Sequence, residues 1–418
     1  MASVFEQDSM IKGTMSNRIA WTPNRLKKAK GVSTAPFGTA EAKKARGFHS
    51  SFPEYQETPL DSLESLANSM GIAGLFVKDE SFRFGLNAFK VLGASYAVAR
   101  LLSKRLGIDV SQLDCTKLVS PEIRKQIGDV TFVTATDGNH GRGVAWTARQ
   151  LRQKAVVYMP KGSSPTRLEN IRAEGASASI IEGNYDDAVR LAAQGAREHG
   201  WVVVQDTAWQ GYEEIPTWIM QGYGTIAAEA IEQLCRIGIK KPTHVFLQAG
   251  VGSFAGAIQG YFADLFGNDR PVTAIIEPDQ SDCLYRSAVA NDGNPRIITG
   301  EMTTIMAGLA CGEPNRIAWE LLRDYSDVFF SCPDWVAAKG MRMLGNPLNN
   351  DPCIISGESG AVTAGLLAAL MKNAYLEDAR AALGLDRNSR VLLISTEGDT
   401  DPTRYRSIVW DGEYPSYE

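Results

Sequence analysis

Along this chain, short unbroken apolar runs alternate with longer stretches whose apolar residues recur every three or four positions. Residues 74–78, 131–135, 155–159, 178–181, 201–205, 244–248, 272–277, 327–331 and 391–395 are of the first kind. A few apolar residues in succession, bounded by turn formers, suit a strand buried on both faces. Residues 89–105, 142–153, 185–199, 223–235 and 361–371 carry the helical spacing. Strands separated by helices predict an α/β fold of open, twisted, largely parallel sheets flanked by helices. Residues 1 to about 50 are rich in Ser, Lys, Thr and Ala with weak periodicity, which predicts an arm laid over the body. With no solenoid repeat and no long low-complexity segment, the chemistry is to be sought where strands empty into loops.

At 418 residues the chain is long enough for two domains meeting at a cleft. Hydrophobic residues at 44% and charged residues at 22% fit a packed globular enzyme rather than a disordered or fibrous chain. A net charge of −5 supplies no general attraction to nucleic acid or anionic membrane, so neither is expected as a partner. The basic groups Lys27, Lys28, Lys30 and Lys43, Lys44, Arg46 are interrupted by small residues and read as a solvated face. No apolar run of about 18 residues occurs. Residues 1–20 carry Glu6 and Asp8 and lack the apolar core of a signal peptide, which points to the cytoplasm. Six cysteines without CxxC or Cys/His spacing predict neither a metal site nor a dense disulfide framework.

Four constellations carry candidate chemistry. The first is Lys90, which follows a strand and a polar, Gly-containing turn and sits between Phe89 and Val91. Desolvation there favours a neutral amine able to form an imine, although a snorkelling lysine fits the same pattern. The second, residues 134–143, joins a strand to a helix through Asp137, Gly138, Asn139 and His140. Its glycines allow close backbone approach to a ligand and Asn139 can donate to an anionic oxygen; a capped turn is the plainer reading. The third is Gly250, Val251, Gly252, Ser253, Phe254 and Ala255, small residues between a strand and a helix. Such a helix start holds phosphate. It has neither the dinucleotide fingerprint nor the P-loop Lys, which weakens a nucleotide reading and a nicotinamide-dependent dehydrogenase with it. The fourth is Ser395, where a last strand empties into a polar loop and a hydroxyl can face a heterocyclic nitrogen.

In this order the four resemble the tryptophan-synthase-β-like, or fold-type II, family of pyridoxal-phosphate enzymes over about residues 58–401. The resemblance implies pyridoxal 5′-phosphate carried on Lys90, with Asn139 on the ring hydroxyl oxygen and residues 250–255 around the phosphate. Ser395 would meet the ring nitrogen, and Glu358 would be an acid near the cofactor. It also implies a larger domain from residues 1–80 and 215–418, a smaller one from 81–214 carrying Lys90, and an active site in the cleft between them. The third constellation departs from the family's glycine run at Ala249 and Val251.

Serine and threonine dehydratases of this family usually carry a serine where this chain has Asp137. A carboxylate suits a β-ammonium group better than a β-hydroxyl. Asp206 ends another expected strand on the same sheet edge, although both acids also read as turn or capping residues. Together with the strings TDGNHGRGVAW (136–146), QDTAW (205–209), IPTWIMQGY (215–223), MAGLACGEP (306–314) and STEGDTD (395–401), these acids make the chain resemble the diaminopropionate ammonia-lyases. That resemblance implies elimination of ammonia from 2,3-diaminopropionate of either hand, giving pyruvate and two ammonia, in a homodimer. Lys90 and Asp137 would serve the two faces of Cα, and Asp206 the distal amine. A serine/threonine dehydratase, another β-eliminating or β-replacing enzyme such as a sulfhydrylase, or a noncatalytic ligand-binding protein of the same fold are the competing readings.

Overall fold

A computed structural model describes residues 17–416 other than Ala29 and Asp137, with the side chain of Asp186 also left out. Its strands are β1 Ala20–Pro23, β2 Leu60–Ser62, β3 Gly74–Asp79, β4 Thr131–Ala135, β5 Lys154–Met159, β6 Ser177–Ile180, β7 Val202–Val203, β8 His244–Gln248, β9 Val272–Pro278, β10 Val328–Cys332 and β11 Arg390–Ser395. They form a seven-stranded sheet in the order β1-β10-β9-β8-β11-β3-β2 and a four-stranded sheet in the order β6-β5-β4-β7. Every pairing is parallel except those of the two edge strands of the larger sheet, β1 with β10 and β2 with β3. The helices used below are α1 Thr39–His49, α2 Val91–Leu106, α3 Asn139–Gln150, α4 Glu214–Arg236, α5 Ser253–Phe266 and α6 Glu358–Lys372. The α/β architecture expected from the alternation is therefore present.

Burial explains the apolar runs. Every residue of β3, β8 and β10 is buried, as a parallel strand covered by helices on both faces requires. Residues 201–205 contribute only Val202 and Val203 to a strand. The Gln205 N–H is given to Tyr212 Oη at 2.8 Å, so it leaves the ladder. α4 begins at Glu214, well before the expected 223, because Pro216 falls in its first turn, where a missing N–H goes unused. α4 and α2 cross at two glycines. A Cβ on Gly222 would lie 2.3 Å from Leu92 O and 2.9 Å from Gly93 Cα, so the backbones touch where a side chain would hold them apart.

The N-terminal region is more than an arm. Residues 17–50 supply β1 and α1, and α1 buries Ala42, Ala45, Phe48 and His49 in the main core. The Ala residues of that face carry little hydrophobic signal, which hid the helix from the periodicity. Its basic groups are largely neutralised within the fold. Lys27 pairs with Asp327, Lys28 with Asp324, Lys44 with Glu41, and Arg46 with Glu57 and Glu232. Among the described residues no helix is long and apolar enough to cross a membrane.

Register sets up the site. β11 runs between β8 and β3, with Ser395 level with Asp79 and Leu393 level with Phe246. The carboxyl ends of these three strands, leading to Lys90, to residues 250–255 and to the loop after Ser395, therefore lie along one sheet edge. β4 runs between β5 and β7, so the carboxyl ends leading to Asn139 and Asp206 are neighbours as well. Ligands of open α/β sheets collect at such edges.

Candidate active site

After β3 the chain makes a 3-10 stretch, Glu80–Gly85, opened by Asp79, whose side chain accepts from the Ser81 N–H at 3.0 Å. Phe84 and Asn87 take left-handed backbone, with φ of 52° and 59°. Arg83 holds this turn from below. It is buried, and its guanidinium donates to Glu80 and Glu229 at 2.7–2.9 Å, while Lys78 Nζ pairs with Glu229 at 2.7 Å. Lys90 follows at the head of α2 between buried Phe89 and Val91. Its Nζ donates to Asp206 Oδ2 at 2.9 Å.

Asp206 follows β7 and is buried. Burial, the largest influence, pushes its carboxyl up. The Lys90 charge, His140 and the hydrogen bond from Lys90 together outweigh it, and the group is held well below the usual carboxylate range. His140, in the first turn of α3, keeps Nε2 2.8 Å from Val204 O and Nδ1 4.0 Å from Asp206 Oδ2. The amine and the acid singled out in the sequence thus meet, with a histidine behind them. The second acid, Asp137, lies outside the described residues.

Asn139 opens α3 and donates its side-chain amide to Glu397 Oε2. The loop bearing Glu397 is tied to the Lys90 segment. Ala88 and Glu397 form an antiparallel bridge, the Phe89 N–H reaches Thr396 O at 3.0 Å, and the Gly398 N–H reaches Asn87 O at 3.0 Å. Ser395, buried at the end of β11, donates to Ser356 Oγ at 2.8 Å. Glu358, at the start of α6, is buried. That burial, followed by the charge of Glu397, pushes its carboxyl up to about 7.

The third constellation turns from β8 into α5 with Gly252 at φ 92°. A Cβ on Gly250 would stand 3.1 Å from Leu309 Cα, so a side chain would crowd the turn. The Gly256 N–H bonds Gly252 O at 2.8 Å; the N–H groups ahead of it have no helix carbonyl to meet. The Ala249 N–H joins Ile276 O in the sheet, and Val251 O accepts from the Asn315 N–H. Asn315 Nδ2 in turn donates to Ser253 Oγ at 2.8 Å.

Direct contacts join all four constellations. Phe89 packs against Phe254 with ring centroids 4.8 Å apart, and Ser253 Oγ donates to Asp206 O at 2.8 Å. Asn139 reaches Glu397, and Phe89 reaches Thr396. One amine beside a carboxylate, a helix start rich in N–H donors, a hydroxyl pair and an amide fit an imine-forming aldehyde with a phosphate and a heterocyclic ring. Pyridoxal phosphate has these features, and the free N–H groups at the start of α5 suit its phosphate. Glu397, Ser356 and Asn315 were not assigned from the sequence. Glu397 alone carried a signal, two residues past Ser395 in a polar run directly after an apolar strand.

The family described as pyridoxal-phosphate dependent enzyme matches residues 52–396. A diaminopropionate ammonia-lyase of Salmonella typhimurium is 56% identical over 366 residues, 87% of this chain and 91% of that protein. The crystal structure of the Escherichia coli diaminopropionate ammonia-lyase with D-serine superposes with a TM-score of 0.89 at 49% identity, over 96% of this chain and 99% of that one. The holo form of the same enzyme gives a TM-score of 0.90 at 49% identity, with the same coverage. With this likeness running through nearly its whole length, the chain belongs to the pyridoxal-phosphate-dependent enzyme family and, within it, groups with the diaminopropionate ammonia-lyases.

Proposed function

We propose that this chain converts 2,3-diaminopropionate, of D or L configuration, and water to pyruvate and two ammonia by α,β-elimination. The observation that carries the reading is the partly buried contact between Lys90 and Asp206, an amine paired with an acid that a hydroxyl substrate would not need. Lys90 is the anchor for pyridoxal phosphate, Gly250 to Ala255 hold its phosphate, Asn139 meets its ring oxygen and Ser395 its ring nitrogen, with Glu358 nearby. Bound there, the cofactor supplies an electron-withdrawing ring that takes up the electron pair left at Cα. The Lys90 amine, once displaced by the substrate amine, removes the Cα proton from one face. Asp137 serves the other face, a role that rests on its place in the sequence next to Gly138 and Asn139. Asp206 receives the distal ammonium by a charge-assisted hydrogen bond and supports its departure as ammonia. The three-carbon enamine left behind is hydrolysed by water, and that hydrolysis releases the second ammonia.

On this reading residues 81–214 form the smaller, Lys90-bearing domain, residues 1–80 and 215–418 the larger, and the enzyme works as a cytoplasmic homodimer on a small amino acid. The test is a substrate panel of D- and L-diaminopropionate, serine and threonine with pyruvate and ammonia both measured. Two ammonia per pyruvate from diaminopropionate, at a kcat/KM well above that for serine, is the expected result. Turnover favouring serine or threonine would replace the reading with a dehydratase.

A further inference from the structure

Glu397 is tied to three of the four constellations at once. Through its backbone it bridges Ala88, two residues before Lys90, and its carbonyl accepts from the Gly357 N–H at 2.9 Å and from Ser395 Oγ at 3.4 Å. Through its side chain it accepts from Asn139 Nδ2, across from the four-stranded sheet. Gly357 makes room for it, since a Cβ there would lie 2.9 Å from Glu397 Cγ and 2.5 Å from Gly398 O. The residue is 3% exposed, so its rotamer is set by packing rather than by solvent.

An asparagine amide can present either its oxygen or its nitrogen to a neighbour, and the two ends are nearly isosteric. An ionised carboxylate only accepts. It therefore admits the NH2 end and rejects the carbonyl end, leaving the second N–H of the same nitrogen to point elsewhere. We infer that Glu397 is a positioning residue that fixes the amide of Asn139, so that its remaining N–H is presented to the ring oxygen of the cofactor. The inference rests on the function proposed above. It adds to that function an origin for the donor polarity of Asn139.

Glu397 does not touch the reacting atoms; because its charge also bears on Glu358, a double-mutant cycle is used to isolate the route through Asn139. Holoenzymes of wild type, Glu397→Met, Glu397→Gln, Asn139→Ala and Asn139→Ala/Glu397→Met are compared by the visible absorbance of the bound cofactor and by kcat on diaminopropionate. Glu397→Met keeps the side-chain volume and removes the acceptor. It is expected to shift the absorbance and to lower kcat by about tenfold to a hundredfold, the scale of a lost hydrogen bond to a charged group. Glu397→Gln keeps an acceptor oxygen but adds an NH2 that can meet the carbonyl end of a flipped Asn139 amide, so it should fall between wild type and Glu397→Met in both readouts. In the Asn139→Ala background the Met substitution should change neither readout by more than about twofold. A full loss from Glu397→Met in both backgrounds, or a wild-type spectrum and kcat in that variant, would overturn the inference. If Glu397→Met does not fold, Glu397→Gln carries the test, and a wild-type spectrum and kcat in that variant overturn the inference equally. Failure of the underlying function would look different, as a wild-type protein whose cofactor is not fixed to Lys90 by borohydride.

Discussion

Lys90 Nζ and Asp206 Oδ2 stand 2.9 Å apart in a partly buried setting, although the residues are 116 positions apart in the chain and come from loops beside different sheets. Two helix-packed sheets present their strand ends to one another, and this pair is one of the contacts between them, with Asn139–Glu397 and Ser253–Asp206. Lys90→Ala removes the anchor. The protein should fold and bind pyridoxal phosphate weakly, show no borohydride-fixable label, and lose pyruvate formation by on the order of a thousandfold or more. Peptide mapping of the reduced protein checks this, and a label on another lysine would refute the anchor.

Asp206→Asn separates the acid's role from that of the amine. Its kcat/KM on diaminopropionate should fall by about a hundredfold to ten-thousandfold, while any slow turnover of serine should change by less than about tenfold, because only the diamine offers an ammonium to Asp206. Stability should respond to pH as well. The folded carboxyl lies below its unfolded value, so its contribution is complete above about pH 4 and is lost as pH falls through the folded pKa. In the cofactor-free protein, the melting advantage of wild type over Asp206→Asn should therefore shrink between pH 5 and pH 3, a range chosen around that unfolded value. A constant difference would show that the ion pair contributes nothing to folding.

The sequence disclosed those features whose physics is local. Runs such as 244–248 and 131–135 became strands with the same limits because burial on both faces demands continuous apolar residues. Lys90 stood out because it follows a strand and sits between Phe89 and Val91, and Asp206 because it closes an apolar run on the same expected sheet edge. Features set by partners far along the chain were not visible. Glu397 owes its place to Asn139 and Gly357, and Arg83 to Glu229, contacts that no local pattern records. α1 escaped because alanine packs well while contributing little hydrophobic contrast, and β7 fell short because Tyr212 takes the N–H that would have extended it.

Glu358 gives a stability prediction of opposite sign. Burial and the Glu397 charge raise its carboxyl to about 7, so the folded state keeps a proton that the unfolded chain releases near pH 4.3. Between those values the folded state binds more protons and stability falls as pH rises; above about 7 the cost is constant, at most about 4 kcal/mol. Glu358→Gln removes the ionisable group. Its melting midpoint relative to wild type should therefore rise from pH 5 to pH 8, two points chosen to bracket the transition. A flat difference across that range would mean that the carboxyl ionises in the folded protein as it does in water.

Glu229 neutralises the deepest charges beneath the Lys90 turn. Its carboxylate faces Arg83 Nη1 and Nη2 at 2.9 and 2.7 Å and Lys78 Nζ at 2.7 Å, and all three side chains are buried. Glu80 is the remaining carboxylate, which pairs with Arg83 and accepts from Thr58. Glu229→Ala leaves two buried cations against one anion, a change that costs about 3–5 kcal/mol when a buried pair is broken from one side. Glu229→Gln keeps the shape and two hydrogen-bonding atoms but not the charge, so it should lie between Ala and wild type. The consequence should reach the site, because Arg83 clamps the stretch that carries left-handed Phe84 and Asn87 just before Lys90. Loosening it frees a strained backbone to relax away from the position that presents the amine. Thermal melts and cofactor retention through gel filtration measure the two effects separately. A Glu229→Ala protein that melts within about 2 °C of wild type and keeps its cofactor would show that the network neither stabilises the fold nor positions Lys90.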